Sequence, residues 1–293
     1  TFVDARDPDA WRAAIRPNTR LLFGETVGNP GLDVLDVPEV AAIAHEAGVP
    51  LLVDSTFTTP YLMRPFALGA DLVYHSATKF LSGHGTVIGG VVVDGGSFDW
   101  DKSGKFAELS APYDGFHNMV FTEESTVGAF LLRARREGLR DFGACMSPHT
   151  AWLILQGIET LALRMEKHMS NTRKVVEFLA AHPFVARVGH PMLESHPSHA
   201  LAQKLLPKGA GSVFSFVVDG TWVHSYEYQN EPGGAYVENV GVYAENSPVF
   251  RWKHNAAINW KKGPWSASFA NKYMSGYVDQ NDVADAYYHK VRA

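Results

Sequence analysis

Lys79 closes the run Ser76-Ala77-Thr78-Lys79, and upstream of it Asn29, Asp54 and Thr56 each stand just beyond a short apolar stretch. In open α/β sheets, ligands bind outside the carboxyl ends of the strands, so these groups are candidates for one shared edge. A lysine amine forms a Schiff base with an aldehyde. A carboxylate such as Asp54 can pair with a pyridine nitrogen and keep it protonated, so that the ring draws electrons. The hydroxyls of Ser76 and Thr78, with nearby backbone N–H groups, can hold a phosphate, and Asn29 can reach a phenolic ring oxygen. Together these are the groups that a pyridoxal 5'-phosphate (PLP) site needs. Spacing alone leaves a plainer reading open. A single lysine after a strand is ordinarily a solvated surface residue, Asp54 alone reads equally as a loop or capping carboxylate, and Ser76 and Thr78 suit a turn.

The elements that must position these residues follow an alternation of strand and helix signals over the first hundred residues. That order predicts a mostly parallel sheet covered by helices. Residues 19–25 read as a strand around Leu21, Leu22 and Phe23. Asp36, Pro38 and Glu39 then mark a helix start, Val37, Val40, Ile43, Ala44 and Ala47 keep one apolar face, and Gly48 closes it. Residues 49–53 form a short apolar run of the kind buried on both sides of a sheet, with Asp54 at its end. A short helical stretch ends at Gly69, and residues 71–75 and 87–93 complete the strand predictions in this half. Residues 95–125 lose the rhythm and read as a loop, whereas residues 147–181 carry the period of two long helices. Residues 212–218 look like a strand, and beyond Gly220 a stretch crowded with Trp, Tyr and Asn keeps neither period. The two long helices are a natural bridge from a large domain over residues 1–146 into a second domain, with linking helices and C-terminal domain together over 147–293.

Composition narrows the function classes. Apolar residues make up 46% and charged residues 19%, which suits a folded domain rather than a disordered chain. The net charge of −5 gives no basic face for nucleic acid. No apolar run approaches the length that crosses a bilayer, and the first residues show no charged leader before an apolar stretch, so neither a membrane span nor a signal peptide is expected. With one cysteine, Cys145, no internal disulfide can form, and a reducing, cytoplasmic setting is expected.

Other candidates carry less. His190, His196 and His199 are closely spaced but lie among Pro and Ser without a cysteine or paired acid, so no metal site is expected. Asp279-Gln280-Asn281-Asp282 lacks the Gly and terminal Glu of a calcium loop. His75, His84 and Glu25 read at least as well as local structural groups, and the tryptophans from Trp222 to Trp265 as core aromatics.

Three segments carry a resemblance to a known family. These are Glu25 to Gly31 (Glu-Thr-Val-Gly-Asn-Pro-Gly), Val53 to Tyr61 (Val-Asp-Ser-Thr-Phe-Thr-Thr-Pro-Tyr), and Gly69 to Phe80 with Gly83-His84-Gly85 after it. They resemble the cofactor core of the Cys/Met-metabolism PLP-dependent enzymes, which include cystathionine synthases and lyases. The insert from Ser97 to Glu123 and the run Gly143 to Pro148 leading into Leu155 to Thr160 are most similar to the O-acetylhomoserine sulfhydrylase branch.

The resemblance implies an aspartate-aminotransferase-like large domain followed by a smaller α/β domain. It implies Lys79 as the Schiff-base lysine, Asp54 as the pyridine-nitrogen partner, Ser76 and Thr78 at the phosphate, Asn29 at the ring oxygen and Thr56 beside the ring. Ser55 stands where the family usually has Asn. The implied reaction is γ-replacement, in which O-acetyl-L-homoserine and sulfide or methanethiol give homocysteine or methionine plus acetate. A PLP-dependent lyase or cystathionine synthase, and an inactive structural or binding fragment, are the alternatives. A homotetramer with sites at subunit interfaces is implied as well. Two departures go with it. The family's N-terminal portion, which brings a Gly-containing phosphate turn, a ring-stacking tyrosine and an arm toward the neighbouring subunit, is absent. After Gly220 the family's pattern, with its carboxylate-binding arginine, is not matched, and neither Arg251 nor Lys272 is assigned that role.

Overall fold

In the computed structural model, residues 1–125 and 128–218 are described in full, together with the backbone of strand segments between 227 and 291. The chain divides into two compact units, Thr1–Val218 and Asp219–Ala293. The stretch beyond Gly220, with Arg251, Asp282 and the tryptophan side chains from Trp222, lies otherwise outside the described residues.

The first unit is built on a four-stranded sheet in the order β1 (Leu22–Glu25), β2 (Leu51–Asp54), β3 (Leu72–Ser76) and β4 (Gly90–Asp94). The first three strands run parallel and β4 returns antiparallel to β3, which gives the mostly parallel sheet that the alternating pattern predicts. Helix α1 (Pro8–Ala14) begins where Asp7 accepts the Asp9 and Ala10 N–H groups. Helix α2 (Val37–Glu46) is the crossover between β1 and β2, and the Asp36 carboxylate caps it by accepting the Glu39 N–H at 3.3 Å. Its inward stripe of Val37, Val40, Ala41, Ile43 and Ala44 is buried, and Gly48 at φ +64° turns the chain toward β2. Gly24 in β1 leaves room for Leu35, whose Cδ2 lies only 2.8 Å from where a Cβ would be.

Neighbouring residues of a strand point to opposite faces, and β3 shows it in its packing. Val73 joins the main core with Leu51, Val53, Ile43, Ile154, Leu161 and Met165. Leu72 joins a second cluster on the other face with Phe98, Trp100, Leu109 and Phe121. The second cluster corrects the loop expectation for residues 95–125. Short helices at Ala107–Ser110 and Phe121–Glu124 occur there, held by an aromatic group in which Trp100 stacks on Phe130 at 5.5 Å. Each helix is only one turn long, too short to show a period in the sequence.

The two long helices predicted from periodicity are present as Pro148–Glu159 and Leu161–Ala180, the first capped by Ser147 through the Thr150 N–H. The expected strand near 215 is Ser215–Val217, paired antiparallel with Arg187–Gly189.

Candidate active site

β1, β2 and β3 end together. Glu25 is in register with Asp54, and Asp54 with Tyr74, so these three form a row across one face, with Ser76 one step further along the same face of β3. The backbone ties the three ends at this level. The Thr26 N–H donates to the Asp54 carbonyl at 2.9 Å, and the Ser55 N–H donates to the Tyr74 carbonyl at 2.9 Å. The Ser76 N–H donates to the Thr56 hydroxyl at 2.8 Å, so the residue after β2 holds the last residue of β3.

Beneath that edge lies a hydroxyl network that sequence reasoning missed. Thr58 Oγ1 is 2.7 Å from Ser55 Oγ and 2.9 Å from Thr26 Oγ1, and all three residues are fully buried. His75, on the opposite face of β3 from Ser76, points its Nδ1 at the Ser55 carbonyl at 3.1 Å, which makes Nδ1 the protonated nitrogen. Burial lowers its pKa below the usual histidine value, while the Ser55 carbonyl and the nearby Asp54 charge pull the other way. His75 is thus a support behind Ser55, and His84, with Nδ1 2.6 Å from the Ser82 carbonyl, supports a backbone turn. The only sequence signal for the network is the density of hydroxyls between Ser55 and Thr59.

Asp54 is half-buried, and one carboxylate oxygen accepts the Thr56 N–H at 2.8 Å. Lys79 lies in a wide turn, Ala77–Leu81, that follows β3 directly, and it takes the non-helical angles φ −91° and ψ −117° within it. Its side chain is exposed. The Thr78 hydroxyl is engaged elsewhere: it donates to the Gly89 carbonyl at 3.3 Å and accepts the Gly89 N–H at 3.0 Å, which ties the turn to the segment entering β4. Asn29 lies in the exposed loop after β1, its N–H donating to Glu25 Oε2 at 3.0 Å. Sheet register and direct hydrogen bonds therefore draw Asp54, Thr56 and Ser76 together, and Lys79 follows within the same turn. Asn29 shares the sheet edge without a hydrogen bond to the others among the described residues. A groove of about 570 Å³ along the free side of β1, lined by Trp11, Leu21 and Phe23, carries none of these groups.

The three histidines of the 190–199 segment serve the backbone. His190 is buried, with Nε2 3.1 Å from the Gly211 carbonyl and Nδ1 accepting the Met192 N–H. His196 and His199 likewise face the Gly31 and Pro191 carbonyls.

Comparison with known proteins identifies the family. Residues 1–232 match the family described as Cys/Met metabolism PLP-dependent enzyme. The chain is 47% identical over 228 residues to the O-acetyl-L-homoserine sulfhydrylase of Leptospira meyeri, covering 75% of this chain and 51% of that protein. It is 48% identical over 221 residues to the homocysteine synthase of Schizosaccharomyces pombe, covering 75% of this chain and 52% of that protein. A crystal structure of an O-acetylhomoserine (thiol)-lyase from Campylobacter jejuni, which contains an N'-pyridoxyl-lysine-5'-monophosphate, superposes with a TM-score of 0.71 at 33% identity over 74% of this chain and 54% of that one. The chain spans about half the length of the curated relatives it matches. The chain therefore belongs to the Cys/Met metabolism PLP-dependent enzyme family.

Proposed function

We propose that this chain carries the cofactor-binding core of a PLP-dependent γ-replacement enzyme that converts O-acetyl-L-homoserine and sulfide or methanethiol into homocysteine or methionine, with release of acetate. The observation that carries the reading is the joining of β2 and β3 at their carboxyl ends, where the Thr56 hydroxyl holds the Ser76 N–H and the Lys79 turn begins. The names of the sulfhydrylase and homocysteine synthase relatives favour this reaction over elimination.

The residues fit the cofactor. Lys79 offers an exposed amine, Asp54 a half-buried carboxylate with one oxygen beyond its bond to the Thr56 N–H, and Ser76 a hydroxyl at the head of the turn. PLP, when bound, supplies an aldehyde for the amine and a ring that accepts electron density from the substrate Cα. Asp54 is assigned to hold the proton on the ring nitrogen. Ser76 Oγ is assigned to donate to the phosphate, with Thr78 fixing the turn that presents it, and Asn29 and Thr56 to the ring's surroundings. Lys79 Nζ is assigned to take the proton from the substrate Cα, acting as the general base. We assign residues 1–146, which contain every one of these groups, to the cofactor domain, and residues 147–293 to linking helices and a C-terminal domain, although the compact units of the fold divide at Val218. A homo-oligomer with sites at subunit interfaces belongs to the same reading.

The test is an absorption spectrum of the purified chain with added PLP, before and after borohydride, followed by peptide mapping and an assay with O-acetylhomoserine and sulfide. Covalent cofactor on Lys79, lost together with thiol-dependent acetate release in Lys79→Ala, is the expected result. Normal turnover in Lys79→Ala would end the proposal, and keto-acid release without thiol would replace γ-replacement by elimination.

A further inference from the structure

The turn that carries Lys79 has a closed hydrogen-bond account, and one side chain from a distant helix completes it. Five carbonyls leave the turn Ala77–Leu81. Within the turn region, the Ser82 N–H takes the Ala77 carbonyl at 3.1 Å and the Gly83 N–H takes that of Lys79 at 2.9 Å. The Ser82 hydroxyl reaches the Thr78 carbonyl at 3.2 Å. The chain then leaves the helical path, so the carbonyls of Phe80 and Leu81 have no local donor of this kind. Arg164, in the helix Leu161–Ala180, supplies both: Nη1 donates to the Phe80 carbonyl at 2.8 Å and Nη2 to that of Leu81 at 3.5 Å. Nη2 also donates to the Gly157 carbonyl at 2.6 Å, and Nε to Thr160 Oγ1 at 3.1 Å. One planar fork thus joins the Lys79 turn to both long helices.

The surroundings are built around that guanidinium. Gly83, at φ +71°, leaves space where a Cβ would come within 2.5 Å of Arg164 Cζ. Gly157 lets its helix approach until a Cβ would lie 2.1 Å from the Ser82 carbonyl oxygen and 2.6 Å from that of Leu81. The acceptors of the Arg164 guanidinium among the described residues are a hydroxyl and backbone carbonyls, with no carboxylate, and burial lowers its pKa from the usual arginine value. A partly buried arginine spent on backbone carbonyls, rather than on an acid, gains little for surface electrostatics and much for fixing backbone geometry.

We propose that Arg164 is a positioning residue for Lys79, holding the far side of its turn by closing the Phe80 and Leu81 carbonyls. The assignment of a chemical role to that position rests on the reading of Lys79 as the cofactor lysine.

The test uses the full chain with Arg164→Met and Arg164→Lys, each checked by circular dichroism to be folded at the assay temperature. Without cofactor, the proteins are labelled with a trace of acetic anhydride, and the labelling of Lys79 is read against that of exposed Lys204 in the same molecule. With PLP and borohydride, the fraction of folded protein carrying reduced cofactor at Lys79 is measured by peptide mass spectrometry. Arg164→Met is expected to change the Lys79-to-Lys204 ratio severalfold and to lower the trapped fraction about tenfold, because small displacements of a reacting group are costly. Arg164→Lys, which keeps the charge and one donor group, gives a smaller change in the same direction and is the variant read if Arg164→Met does not fold. A labelling ratio within twofold of the unsubstituted protein, with only the melting temperature lowered, would reduce Arg164 to a structural brace and overturn the proposal. Failure of the unsubstituted chain to trap PLP at Lys79 would instead remove the proposed function, and the cofactor-free labelling ratio would still decide the role of Arg164.

Discussion

The Thr56 hydroxyl accepts the backbone N–H of Ser76 at 2.8 Å, and this bond joins the ends of two parallel strands at the point where both leave the sheet. Parallel strands end with ladder groups that need partners beyond the last register pair. Here a side chain from the chain leaving β2 satisfies the last N–H of β3, immediately before the turn that carries Lys79. The Thr56 N–H, in turn, is held by Asp54. Asp54, Thr56 and Ser76 therefore form a chain of contacts in which moving one end moves the other.

Replacing Thr56 by Val keeps the branched shape and removes the acceptor. The Ser76 N–H, partly shielded from water, then loses its partner, at a cost of about 1 kcal/mol. Thr56→Ser restores the hydroxyl and should return most of that stability. Urea unfolding of the two variants checks it, and equal midpoints for Val and Ser would show that the hydroxyl does not hold the strand ends.

Much of this edge is legible in the sequence because its signals are local. The cap of α2 at Asp36, the buried run ending at Asp54, and the Ser-Ala-Thr-Lys block after β3 each announce themselves within a few residues. What is not legible depends on contacts between residues far apart in the chain. Arg164 reads as one more polar residue of an amphipathic helix, and nothing local connects it to Phe80 and Leu81, 84 and 83 residues away. Thr78, expected among the phosphate ligands, directs its hydroxyl to Gly89, a pairing set by the antiparallel return of β4. The aromatic cluster of Phe98, Trp100 and Phe121 likewise hides in a segment without a period, because it packs by shape on Leu72 rather than by repeat.

Gly157 should be the most sensitive glycine near the site. In Gly157→Ala the new methyl would meet backbone carbonyls rather than a flexible side chain, so the helix Pro148–Glu159 must move away from Ser82. Overpacking of this kind costs about 1–3 kcal/mol. Gly138 offers the contrast, since a methyl there meets nothing within 4 Å among the described residues in a helical segment, and Gly138→Ala should stabilise by about 0.5–1 kcal/mol. Thermal denaturation of both variants reads the difference, and a Gly157→Ala protein as stable as the parent would show that the helix can shift freely.

Asp94 works against the fold at neutral pH. One of its carboxylate oxygens is buried without a partner among the described residues, while the other accepts the Gly96 N–H at 2.9 Å. Burial, and to a lesser extent the nearby Asp71 charge, raise its pKa above the ordinary carboxylate value. The native state thus binds the proton more tightly than the unfolded chain, so this contribution favours folding at low pH and is lost as pH rises through the raised value. Asp94→Asn keeps an oxygen for Gly96 and removes the charge. The side chain is partly solvated, so screening holds the expected gain at pH 7 below about 1 kcal/mol. The advantage must shrink as pH falls; a gain that is the same at every pH would mean that the charge is not its cause.

His75 and His190 give the opposite sign. Both are buried, and burial is the largest cause lowering the pKa of each below 6.5. The Ser55 carbonyl and the Asp54 charge act against that shift at His75; at His190 the Gly211 carbonyl acts against it and the neighbouring His196 adds to it. Between the lowered native value and 6.5 the unfolded chain binds more protons than the native state. Stability therefore rises with pH through this window, is complete above about pH 6.5, and is lost progressively as the solution is acidified below it. Each histidine can contribute a slope of at most about 1.4 kcal/mol per pH unit. His190→Asn isolates one of them. The Asn side-chain oxygen can still accept the Met192 N–H in a local turn, but the bond to the Gly211 carbonyl is lost. The variant should be less stable than the parent at pH 7.5 and lose less on moving to pH 5.5, so the two curves converge. Urea midpoints at those two pH values decide it, since parallel curves would show that His190 does not titrate on unfolding and that the acid sensitivity lies elsewhere.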